Sequence, residues 1–149
     1  MTVVVGVDNS KASGAALRLA AQEARWRQAP LVAVSAYEPP RGAVGGFPSA
    51  AMHTEGEERA SAEAALRATV NDELGDQTGE TDLRISAGLA GRVIIETARQ
   101  THAELVVLSA HPGMTTEYVL LKARCPVTIV PSEAAGEEKA DGDKDDSHS

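Results

Sequence analysis

The chain has 149 residues, 42% of them hydrophobic, which suits one domain with a sizeable core. Lys and Arg number 14 against 22 Asp and Glu, a net charge of -8 and the wrong sign for nucleic acid or an anionic membrane. Aromatic residues make up only 3%, which disfavours base-stacking surfaces and leaves the core to Val, Ile, Leu and Ala.

Cysteine and targeting signals narrow the setting further. The single cysteine, Cys125, has no partner for an internal disulfide. The opening MTVVVGVD has neither a basic leader region nor a cleavage site, and no apolar run approaches membrane-spanning length. A cytoplasmic location, away from membranes, is the expectation.

The elements can be taken in order. Val3 to Val7, VVVGV, is a nearly continuous β-branched run, the pattern of a strand covered on both faces. Asp8, Asn9 and Ser10 supply turn and capping oxygens before a helix from about Ser13 to Arg27, whose small-residue stripe is Ala16, Leu17, Ala20, Ala21 and Ala24. Leu31 to Ala36 is a second strand, stopped by Pro39 and Pro40. The stretch from Arg41 to His53 is rich in Gly and Pro and long for a compact domain, which suggests mobility or a lid or partner role. Thr54 to Glu57 fits a capping box, and Ala62, Ala65, Leu66, Thr69 and Val70 define the inner side of the next helix.

The second half repeats the alternation. Asp82 to Ala87 reads as a third strand, polar enough for a sheet edge. Val93, Ile94, Thr97, Ala98 and Thr101 give a third amphipathic helix, and Leu105 to Leu108 a fourth strand. After the turn SAHPGM, a short helix from about Thr115 to Ala123 leads into CPVTIVP, the fifth strand. Strand alternating with helix throughout implies a parallel sheet with right-handed crossovers and helices on both faces. From Glu133 onward seven acids face two lysines, so residues 132–149 read as an acidic disordered tail behind a domain of residues 1–131. That tail is a solubilising extension or an interaction segment for a basic partner; the sequence leaves both open.

The ordered set VVVGVDNSKASGAALRLAAQEA, LVAVSAYEPP, AGLAGRVIIETA and AELVVL followed by CPVTIVP resembles the universal stress protein (UspA-like) family across roughly residues 2 to 131. The resemblance implies a flavodoxin-like, Rossmann-like α/β fold with five parallel strands in the order 3-2-1-4-5 and ligands beyond Val7 and Leu108. It implies a homodimer, a link to survival under stress and, in one branch, ATP binding. Carried over by position, Asp8 lies beside the nucleotide and Ala36 near the adenine.

That branch's phosphate loop, G-x2-G-x9-G-S/T after strand four, is largely missing. Gly113 aligns with its last glycine, Met114 stands where Ser or Thr belongs, and no other glycine lies between Gly91 and Gly113. Without those glycines, backbone N–H groups lose their cradle around a phosphate, and Pro112 has no N–H to offer. Thr115, Thr116 and His111 remain as substitutes, and a helix N-terminus contributes only about 0.3–1 kcal/mol for an exposed anion. SAHPGM is then either a tight connection or a residual ligand site, with His111 and Met114 expected to narrow the crevice. Asp8 is likewise either a capping carboxylate or a contact for a ribose hydroxyl or base amine.

Other residues point to structure rather than chemistry. Cys125 reads as a buried structural thiol and Trp26 as packing. Arg92, Arg99 and Arg124 read as solvated helix charges. His53, His102, His111 and His148 have no metal-ligand spacing, and no nucleophile elbow, P-loop or zinc-protease motif is present. The fifth strand leaves an open edge, and the resemblance supplies its expected occupant, a two-fold mate pairing through Val127, Thr128, Ile129 and Val130. The sequence thus points to a non-enzymatic stress-response domain acting through homodimerisation and protein partners. It requires no cofactor and no metal, has no catalytic residue, and binds ATP weakly or not at all. The alternative is an adenine-nucleotide switch for ATP or AMP using Asp8, Ala36, Gly113 and Thr115.

Overall fold

Val3, Val4 and Val5 are all shielded from solvent, which requires packing on both faces of their strand and so places it in the middle of a sheet. The computed structural model describes residues 1–8, 10–39, 55–110 and 113–131. Its elements run β1 (Thr2–Gly6), α1 (Ala12–Arg27), β2 (Leu31–Tyr37), α2 (Glu55–Leu74), a 3₁₀ helix (Gly75–Glu80), β3 (Thr81–Ala87), α3 (Ala90–Gln100), β4 (Ala103–Ser109), α4 (Met114–Lys122) and β5 (Val127–Val130). The strands form one five-stranded parallel sheet in the order β3-β2-β1-β4-β5, the flavodoxin-like order.

Alternation along β1 divides the core into two layers. Val3 and Val5 pack with Leu17 and Ala20 of α1 and with Leu66 and Val70 of α2. Val4 points the other way, into a cluster with Val93 and Ile94 of α3, Val106 of β4 and Val119 of α4. Each fully buried side chain of this size stabilises the fold by about 1.5–3 kcal/mol. On α2 the expected inner face is the observed one, with Leu66 and Val70 buried and Ala62, Ala65 and Thr69 half-buried.

Helix ends follow local chemistry. Gln28 adopts a left-handed conformation (φ 53°), so the chain leaves α1 with the Ala29 N–H donating to the Ala24 carbonyl at 2.9 Å. α3 and α4 approach closely at Gly91, where an added Cβ would lie 3.0 Å from Tyr118 Cδ1. The 3₁₀ helix was not foreseen, since GDQTGE has the composition of a loop.

Two expectations are corrected. Trp26 does not pack; it is 67% exposed, because two residues past the buried Ala24 a helix has turned by about 200° toward solvent. Cys125 is half-buried rather than enclosed, since it lies on the connection into the edge strand β5. The Arg41–His53 stretch, Thr54 of the capping box and the acidic tail lie outside the described residues.

Candidate functional site

β1 connects to β2 over one face of the sheet, while α3 brings the chain from β3 to β4 over the other, so a gap opens beyond the C-terminal ends of β1 and β4. A crevice of about 370 Å³ occupies this gap. Its floor includes Gly6 and Val7, Ala36 forms one wall, and Ile94 and Leu108 line the α3 side. Thr115 and Thr116 close it from the first turn of α4. The volume falls within the range of about 300–1,000 Å³ usual for small-molecule sites.

Asp8 is held by its own loop. Its Oδ1 accepts the Ser10 N–H at 2.8 Å and the Ser13 hydroxyl at 2.8 Å, with the Ser10 hydroxyl also donating to it. The Asp8 N–H in turn donates to Ser13 Oγ at 3.0 Å. Asp8 therefore serves as the turn carboxylate that launches α1 while also lining the crevice. Of the two roles the sequence left open, the hydrogen bonds show the turn role, and the same residue also borders the crevice.

Three helices begin at this crevice: Ser10 leads into α1, Ala90 opens α3, and Thr115 lies in the first turn of α4. Their N-termini carry partial positive charge, which favours an anion or an electron-rich ligand atom. Among the described lining residues there is no Lys, Arg or His. Met114, expected to narrow the crevice, is 84% exposed and lines none of it; as the first residue of α4 it leaves the joint toward solvent. Gly113 (φ 150°) provides the turn into α4 but also stays outside the crevice, with open space where a Cβ would be. His111 lies outside the described residues.

Of the three positions carried over by resemblance, the structure brings Asp8 and Ala36 to one crevice, together with the substitute hydroxyl of Thr115, and leaves Gly113 beside it. Sequence reading named Thr116 only as a substitute hydroxyl and missed Ile94 as a wall. Its place in the α3 stripe marked it as core, and only the sheet topology shows that this stripe ends at the opening. Val127 to Val130 lie on the open edge, half-buried, with Val130 in register with the crevice residue Ser109. Among the described residues no three His, Cys, Asp or Glu gather to hold a metal, and no helix is long and apolar enough to cross a membrane.

Fold and crevice together define a flavodoxin-like α/β domain with an open crevice at its topological switch point. The Universal stress protein family model matches residues 1–131, and the chain belongs to that family. Among curated proteins none matches. Solved structures with this fold include UspA from Lactobacillus plantarum, 27% identical, covering 87% of this chain and 97% of that one with a TM-score of 0.65. A universal stress protein in complex with cAMP is 23% identical, covering 89% and 98% with a TM-score of 0.66. One from Archaeoglobus fulgidus in complex with dAMP is 23% identical, covering 87% and 97% with a TM-score of 0.62.

Proposed function

We propose that this universal stress protein domain is a non-catalytic regulatory module that works as a homodimer and through protein partners, and whose crevice accepts the adenosine portion of a nucleotide while holding ATP only weakly. The observation that carries the reading is the shape and lining of the crevice. It has apolar walls at Ala36 and Ile94 for a base, hydroxyls and helix N-termini at its α4 end, and no described cation for a triphosphate. A monophosphate needs only one such anion contact; a triphosphate needs the glycine loop that the sequence lacks. The bound cAMP and dAMP in two relatives of the same fold support the same ligand class.

The absence of catalysis is an inference from side-chain chemistry. No described cation lines the crevice to neutralise a leaving phosphate, and the Asp8 oxygen that accepts from Ser10 and Ser13 is already committed to the turn. The test is calorimetry with adenosine, AMP, cAMP and ATP on the wild type and on Ala36→Leu, which narrows the wall without touching the Asp8 turn. The reading expects AMP or cAMP to bind, ATP to bind no tighter, and all binding to weaken in Ala36→Leu at unchanged melting temperature. ATP binding ten times more tightly than AMP, an outcome that would need about 1.4 kcal/mol from the extra phosphates, would overturn it.

A further inference from the structure

At the far end of α3 and α4, away from the crevice, lies a second cleft of about 260 Å³. Ile95 and Ala98 of α3, Tyr118 of α4, Ala103 at the start of β4 and Cys125 form its apolar interior. This is below the volume usual for drug-sized ligands, so an occupant must be small. Gly91 packs against Tyr118, and the two openings share no lining residue although the same helices wall both.

The charged residues of this cleft are all cations: Arg99, Lys122 and Arg124, with no carboxylate among the lining residues. Glu96 holds the Arg99 guanidinium, Nε donating to Oε2 at 3.2 Å and Nη2 to Oε1. Lys122 and Arg124 have no ion pair among the described residues. Cations near helix C-termini are ordinary complements to the dipole, but two helix ends contribute together only about one negative charge. Lys122 and Arg124, without an ion pair among the described residues, outweigh that and leave the rim positive.

We propose that this cleft is a ligand site for a small amphipathic monoanion, an unbranched aliphatic carboxylate whose chain lies against Ile95, Ala98 and Tyr118 and whose head group meets Lys122 and Arg124. A neutral apolar guest would leave the two cations unused. A polyanion would have no polar wall in the apolar interior. The site stands apart from the crevice and does not depend on what binds there.

Cys125 is the only cysteine in the chain and lines this cleft, so its labelling follows access to the cleft. The experiment follows the rate of Cys125 labelling by an aromatic disulfide reagent in the full chain. Octanoate, hexanoate, acetate and octanol are each added below any micelle-forming concentration. Octanoate is expected to slow labelling saturably and acetate not at all. Hexanoate should need roughly fifteen times the concentration, since each methylene buried is worth about a fourfold change in affinity. Replacing Lys122→Glu and Arg124→Glu together, both at exposed positions, should raise the half-protecting octanoate concentration by about fivefold and leave octanol unaffected. Absence of protection by octanoate overturns the proposal, as does equal protection by octanol, which would reduce the site to an apolar gap. Labelling that slows with protein concentration but not with octanoate also overturns it, by making a second copy of the chain the occupant.

Discussion

Ser13 Oγ accepts the backbone N–H of Asp8 at 3.0 Å and donates its own hydrogen to Asp8 Oδ1 at 2.8 Å. The two residues thus satisfy each other, and the loop that forms the crevice floor is tied to the first turn of α1. Ser13 is fully buried, so its loss would not be repaired by solvent. Ser13→Ala is expected to cost about 1–3 kcal/mol, because it leaves a donor and part of a carboxylate without their partner. Ser10→Ala, at a more accessible position, should cost about 0.5–1.5 kcal/mol. Urea denaturation of the two variants beside the wild type measures the difference. Equal losses would mean that the buried hydroxyl does not anchor this loop.

The Asp8–Ser13 pair also shows how far the sequence could be read. DNS before a small-residue helix signals a capping loop, and the nearly continuous β-branched run before it signals a central strand, so β1, the turn and α1 were all legible. That Ser13 completes the turn was not, because a serine inside a helical stripe looks like any other small residue. Direction was the general difficulty. Met114 sits next to the crevice in sequence and yet points to solvent, since the first residue of a helix faces wherever the preceding glycine turns it. Trp26 failed for a related reason: its chemistry suggested packing, while its phase on α1 placed it opposite the core.

Burial also sets the ionisation of Cys125, holding its thiol above the ordinary value because the thiolate is poorly solvated there. The native chain should therefore form thiolate at higher pH than the urea-unfolded chain. Absorbance at the thiolate band, recorded for both states across alkaline pH, tests the order of the two titrations. The linkage has a definite sign: folding favours the protonated thiol, so the contribution to stability is complete below the unfolded pKa and is lost as pH rises through the native one. Cys125→Ser should flatten that part of the stability profile. A native titration at or below the unfolded one would mean that solvent reaches the sulfur freely.

The open edge of β5 offers the sharpest test of assembly. Pro126 and Val130 turn their carbonyls to β4, accepting from Val106 at 3.1 Å and Ala110 at 2.8 Å. Successive residues of a strand alternate in direction, so Val127 and Ile129 present their N–H and C=O groups to the open edge. An antiparallel copy of the same strand can pair with them. Four residues of edge fall well short of the roughly 800 Å² per partner typical of a stable interface. Apolar surface elsewhere must therefore contribute, and Leu121 on the helix that leads into β5 is 82% exposed. Val127→Pro removes one outward N–H while sparing the bonds to β4, and should convert a dimer to a monomer. Leu121→Glu should weaken the dimer without abolishing it, by about tenfold in dissociation constant if the leucine loses roughly 1.5 kcal/mol of burial. Sedimentation velocity across micromolar concentrations measures both. A wild-type chain that sediments as a monomer there would remove strand pairing as the basis of its function, and a dimer indifferent to Val127→Pro would move the interface to another face.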